Sequence, residues 1–191
     1  MYPYTLIDRH CSCPEFEFAK GEFILNDINK SENDLELRLY LKVLGTFSSV
    51  TVLTKKAGKV NGDYYHKRFD SFGSSRPDSA LGILKWEKYP FKKFPIQDNN
   101  LDSIVTELLY YNVGRLPNLS DIYKGSYLGA FRVVYKINGH VGEYQFGNTE
   151  ELMTKFPKVQ EYKDYMSIAR LLGKLTGKYR EQVFQSEDTG R

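Results

Sequence analysis

The segment Tyr65-His66-Lys67-Arg68-Phe69-Asp70 is the densest group of chemically capable side chains in this sequence of 191 residues. An imidazole exchanges protons near neutral pH, a guanidinium clamps a phosphate through paired N–H groups, and a carboxylate orients either one. In an extended strand His66, Arg68 and Asp70 fall on one face, with Lys67 on the other. That placement suits phosphate binding or phosphodiester chemistry and makes His66, Arg68 and Asp70 the candidate catalytic set. The simpler expectation is a solvated polar face on an exposed strand.

A second segment, Lys85-Trp86-Glu87-Lys88-Tyr89-Pro90-Phe91-Lys92-Lys93-Phe94-Pro95, packs four lysines and four aromatic rings into eleven residues. Lysines neutralise phosphates and flat rings stack on unpaired bases, so the mixture suits a single-stranded nucleic acid. The same residues suit a protein interface, with rings as anchors and ammonium groups at the rim. The plainest expectation is that Trp86, Tyr89, Phe91 and Phe94 pack on a sheet while the heads of Lys85, Lys88, Lys92 and Lys93 reach water. Lys67 and Arg68 extend the basic character of this region. The C-terminal helix adds Lys163, Arg170, Lys174 and Lys178 near one face.

Other constellations fail on number or spacing. His10-Cys11-Ser12-Cys13 offers three zinc-capable groups, but structural zinc takes four ligands. A second Cys pair is absent, and only His66 and His140 remain as nitrogen donors. Cys11 and Cys13 are too close for an unstrained disulfide and lack the Cys-x-x-Cys spacing of redox sites. Gly58-x-x-x-Gly62 lacks the Lys-Ser/Thr of a phosphate-binding loop, and Gly139-x-x-Gly142 leads into a strand. No Gly-x-Ser-x-Gly elbow is present. Neither a metal nor a cofactor is expected.

These segments sit in an ordinary globular composition: 41% hydrophobic and 27% charged. Aromatic residues make up 15%, among them 15 Tyr, too many phenols for all to find partners inside. Formal net charge is +3. Residues 1–50 carry 5 Lys/Arg against 8 Asp/Glu, residues 51–95 carry 10 against 4, and residues 96–191 carry 12 of each. The middle of the chain is its electropositive part. Met1-Tyr2-Pro3-Tyr4 lacks the basic and apolar regions of a secretory signal, and no run approaches the ~20 apolar residues of a membrane span. The expectation is a cytoplasmic protein with reduced thiols and no membrane partner.

The elements that must position the candidate groups are strands first and helices later. Glu15–Phe18 and Gly21–Leu25 alternate, and Leu35–Val43 alternates over nine residues with the apolar ones at odd positions. One face of that strand is expected in the core and the other in water. Gly45 turns the chain into a β-branched run, Ser49–Thr54. From Lys55 to Ser79 the pattern fails, apart from a short strand or loop at Tyr64–Asp70, and Leu81–Trp86 is a further strand candidate. The Lys88–Pro95 stretch reads as an extended connector or sheet edge.

Leu101, Ile104, Val105, Leu108 and Leu109 form a helical stripe between Asn100 as N-cap and Gly114 as stop. Asn138-Gly139 marks a hairpin. Asn148 and Glu151 open a short helix ending before Pro157. A longer helix runs from about 158 to 178, followed by a polar, frayed tail from about 186. The whole reads as one α+β domain spanning 1–191, with a mainly antiparallel sheet and two or three helices in the C-terminal half.

The absence of catalytic templates and the aromatic excess favour a non-enzymatic accessory protein that works by contact with another protein. Small, motif-free, Tyr/Phe/Lys/Asn-rich chains of this kind occur among inhibitors encoded by viruses and mobile elements. The alternatives are a single-stranded RNA- or DNA-binding protein and a phosphoester-acting enzyme using His66, Arg68 and Asp70.

Overall fold

The computed structural model describes residues 25–43, 47–68, 92–123, 130–147 and 149–188. The cysteines, the strands expected over 15–18 and 21–24, Gly45, residues 69–91 and Asn148 lie outside these.

The nine-residue alternation forms β1, Leu35–Val43. It pairs antiparallel with β2, Phe47–Lys56, on one side and with β5, Ala130–Ile137, on the other. The described residues make a six-stranded antiparallel sheet in the order β4-β3-β2-β1-β5-β6. Here β3 is Lys59–Arg68, β4 is Lys92–Pro95 and β6 is His140–Phe146. Two tight turns set its register. Ala57-Gly58 joins β2 to β3 with φ of 49° and 81°, and Asn138-Gly139 joins β5 to β6 with 51° and 82°. Two successive positive φ values match the strand twist of a two-residue hairpin.

The pattern lost after Lys55 is β3 itself, ten residues long. It is masked by Asn61-Gly62-Asp63, poor strand formers that tertiary packing overrides. Gly62 serves a close approach: a Cβ there would stand 3.1 Å from Ile96 Cδ1 and Leu53 Cδ2.

Alternation puts Leu35, Leu37, Leu39 and Leu41 on one face of β1. The pairings carry that face to Ser49, Thr51 and Leu53, then to Tyr64 and His66, and across β5 to Phe131, Val133 and Tyr135. All the helices whose packing is described lie on this side. Helix α1, Leu101–Tyr110, stops four residues before Gly114. Asn112 adopts φ of 56°, and the Val113 and Asn112 amides donate to the Leu108 and Leu109 carbonyls, a left-handed cap. Gly114 is instead buried against Ile137. A single turn, α2 (Leu119–Ile122), and α3 (Thr149–Lys155) follow.

Helix α4 runs from Gln160 to Asp188, past the expected end at 178 and through the start of the expected tail. Tyr165 stacks on Phe146 of β6 at 4.8 Å between ring centroids. Tyr179 meets Tyr64 of β3 at 5.8 Å and Phe94 of β4 at 6.1 Å. Fourteen helical residues span about 21 Å, close to the roughly 19 Å from β6 to β3 across four strand spacings. Helix α4 therefore lies across the strands, pinned by two rings fourteen residues apart. An α+β architecture is the outcome, as composition and pattern imply.

The opposite face of β1 is not wet at its centre. Glu36 and Arg38 are only 5% and 8% exposed, because residues 26–33 lie over them. Arg38 Nε and Nη2 donate to Glu36 Oε1 at 2.7 and 2.6 Å. Glu36 Oε2 accepts from Ser31 Oγ at 2.5 Å and Asn33 Nδ2 at 3.0 Å. Arg38 Nη2 also donates to the Asn26 carbonyl at 2.6 Å. The alternation is polar at these positions, but each charge is satisfied internally.

Burial alone would raise the Glu36 pKa; the hydrogen bonds from Ser31, Arg38 and Asn33 outweigh it and hold the carboxyl below its usual 4.5. A depressed folded pKa contributes stability above the unfolded value that disappears as pH falls through the folded one. We predict that Glu36→Gln costs about 3 kcal/mol at neutral pH, because Arg38 stays buried without its charge partner. The gap between wild type and variant should narrow as denaturation is followed below pH 4.5. Gly177 of α4 has open space where a Cβ would stand, so Gly177→Ala should stabilise the chain by up to about 1 kcal/mol in urea unfolding.

Candidate functional site

Among the described residues, groups able to bind or react gather in a cleft beneath the middle of α4 and in an aromatic cluster where α2, α3 and α4 meet.

The cleft follows from the sheet register. The pairing Ser49↔His66 and Thr51↔Tyr64 sets four polar side chains side by side on the face that α4 covers. Tyr64 is fully buried and His66 is 1% exposed. Tyr64 Oη lies 3.0 Å from His66 Nδ1 and is hydrogen-bonded to Ser49. Burial pushes the Tyr64 phenol up to about 12, against the opposing pull of the Ser49 hydrogen bond and the positive charge of Arg180. On the helix, Thr176 is buried and donates to the Leu172 carbonyl at 2.7 Å, while Arg180 is half-buried. Between helix and sheet lies a cavity of about 190 Å³. Its walls are Leu39, Leu41, Phe131 and Leu172, with Ser49, Thr51, Thr176 and Arg180 supplying the polar lining.

The solvated-face expectation for His66 is therefore corrected. Its strand is an inner one, between β2 and β4, and the face it shares with Tyr64 is the one α4 covers. Arg68 ends β3 two residues on, and Asp70 lies outside the described residues. Lys67 is half-buried on the opposite face.

Of the basic aromatic strip, only Lys92, Lys93, Phe94 and Pro95 are described, and they form the expected sheet edge. Lys85, Trp86, Lys88, Tyr89 and Phe91 lie outside. Phe94 packs against Tyr64 and Tyr179 in the core. Lys93 Nζ pairs with Asp63 at 3.0 Å and stands over the Tyr65 ring at 5.4 Å. At these positions the ring goes inward and the ammonium outward. On α4, Lys163, Arg170, Lys174 and Lys178 are exposed. Lys178 Nζ donates to the Gln97 carbonyl at 3.1 Å, beside the Gln97 amide that donates to Tyr179 Oη at 2.9 Å.

The aromatic cluster was not singled out in the sequence. Phe156, just past α3, meets Tyr123 at 6.4 Å and Tyr162 of α4 at 5.8 Å. Tyr162 Oη donates to the Ile122 carbonyl at 3.5 Å. Tyr162 is buried beneath, whereas Phe156 and Ile122 are 42% and 41% exposed. Charged groups border them: Asp121, Lys158 and the Lys155–Glu151 pair at 2.5 Å. The signal that could have found it is weak, since Ile122 and Phe156 stand alone outside any periodic run. Among the described residues no cluster of His, Cys, Asp and Glu is arranged to hold a metal, and no helix is long and apolar enough to cross a membrane.

No protein-family model, curated protein or solved structure matches the chain.

Tyr64 lies behind the cleft, fully buried, and holds its lining residue Ser49 in place. Tyr64→Phe keeps the ring contacts but removes the oxygen that Ser49 and His66 share. It should cost about 1–3 kcal/mol in thermal or urea unfolding, the range for orphaning a buried polar partner.

Proposed function

We propose that this protein acts by binding another protein, and that the surface formed by Ile122, Tyr123 and Phe156 is where it does so. The observation that carries the reading is the exposure of Phe156 and Ile122 beside the rings of Tyr123 and Tyr162. Fully burying such side chains is worth about 1.5–3 kcal/mol each, and here a part of that gain is left unrealised. Single exposed hydrophobes are ordinary, but a contiguous group rimmed by charge is what interaction sites present.

The arrangement has the anatomy of an interface: aromatic anchors over a buried ring, with lysine and carboxylate groups at the margin. Ile122 closes α2, and Phe156 lies in the short link between α3 and α4, so these anchors are held by regular structure and cost little ordering on association. Basic groups in the aromatic strip, the feature that suggested nucleic acid, point to no such surface at Lys93, which is paired with Asp63. The cluster therefore supports a protein partner better than a nucleic acid.

A photo-crosslinking residue placed at 156 in the native host, with one at Lys174 as control, tests this. We expect position 156 to trap a discrete partner that position 174 does not. The Ile122→Ser/Phe156→Ser variant should lose that partner by at least about tenfold, a hot-spot effect, with its melting temperature near that of wild type. Equal crosslinking from both positions, or a variant that folds and retains the partner, would overturn the proposal.

A further inference from the structure

The cleft beneath α4 has a composition that fold stability does not require. A face meeting a helix is best filled with apolar side chains, yet Ser49, Thr51, His66 and Thr176 are all buried there. Helix α4 also carries Gly173 against this cavity, and a Cβ on it would meet nothing within 4 Å. An alanine or larger residue would favour the helix and fill the space. The space is left open.

Its chemistry is divided. Leu39, Leu41, Phe131 and Leu172 form an apolar body, and the hydroxyl-bearing Ser49, Thr51 and Thr176 lie beside it. Arg180 supplies one cation, and among the described residues no carboxylate is paired with it. Arg180 is half-buried, whereas the hydroxyls are buried, so the charge sits toward the mouth. A guanidinium at the mouth suits a planar carboxylate; the Thr176 hydroxyl, whose hydrogen goes to the Leu172 carbonyl, adds polarity deeper in. The volume of about 190 Å³ sets the size, since a cavity of roughly 150 Å³ accommodates one benzene ring.

We infer that the cleft between α4 and the sheet binds a small amphiphilic carboxylate, with its single ring or short chain among Leu39, Leu41, Phe131 and Leu172 and its charge on Arg180. This site is separate from the Ile122–Phe156 surface, and the inference does not depend on the protein partner. The hydroxyls and Arg180 then act as positioning and recognition groups. Burying the apolar body supplies the affinity, and the guanidinium sets the preference for an anion over a neutral isostere.

Benzoate is the probe, with benzamide as its uncharged counterpart, titrated into the full chain and followed by amide chemical shifts and calorimetry. Benzoate is expected to shift the Gly173, Thr176 and Ser49 amides and to bind at least tenfold more tightly than benzamide. Arg180→Gln should bring benzoate down to the level of benzamide. Gly173→Leu, which fills the cavity without touching the cation, should abolish both. If Arg180→Gln does not fold, Gly173→Leu and the benzoate-to-benzamide ratio on wild type still decide. No saturable benzoate binding, shifts confined to other surfaces, equal affinity for the two probes, or unchanged binding to Gly173→Leu would each overturn the inference.

Discussion

The structure depends on β1 being buried on both faces. Leu35, Leu37 and Leu39 lie beneath the helices, and Glu36 and Arg38 lie beneath residues 26–33. A strand buried on both sides usually reads as a continuous apolar run. This one keeps a strict alternation because its polar half is closed by a charge pair whose remaining lone pairs and protons are taken up by Ser31, Asn33 and Asn26. Such a pair contributes little net stability over an apolar substitute, and because Glu36 and Arg38 stand two apart on one strand it travels as a unit; what ties it to one register is the set of contacts with Asn26, Ser31 and Asn33. A one-residue slip would turn the leucines away from the helices and carry the charge pair beneath them, away from Asn26, Ser31 and Asn33.

Everything of functional interest inherits that register. With β1 fixed, Leu39 stands opposite Thr51 and Leu41 opposite Ser49, and these in turn fix Tyr64 and His66. The distance from β6 to β3 then matches the spacing of Tyr165 and Tyr179 along α4, so the helix is held at these two rings while the stretch between them spans a cavity. The start of α4 is placed by the same contacts. Tyr165 Oη donates to the Pro117 carbonyl at 2.5 Å, and Asn112 Nδ2 donates to Asp164 at 2.9 Å. These hold the α2 loop against α4 and present Ile122 and Phe156 outward.

Much of the frame was legible in the sequence: the alternation of β1, the Asn138-Gly139 hairpin, the α1 stripe and the two faces of α4. What escaped has common causes. Strand β3 was obscured by Asn61-Gly62-Asp63, whose place in the sheet depends on Ile96 and Leu53 from elsewhere in the chain. His66 reads as solvent-facing because a single strand does not reveal whether it is an edge or an inner strand. Glu36 and Arg38 read as wet because their partners lie on a loop. The cleft and the aromatic cluster were less legible still, since each draws residues from segments far apart in sequence. Ser49 and Thr51 alternate with Leu53 on one face, but nothing local identifies Thr176 and Arg180 as their counterparts.

The proposed binding surface is the helical end around Phe156, and not the sheet edge at Lys92–Pro95. Amide hydrogen exchange on the chain copurified with its bound protein, against the chain alone, tests it most directly. The account predicts added protection confined to residues 119–123 and 152–163, with exchange in 92–95 unchanged. Protection at 92–95 with none around Phe156 would contradict it.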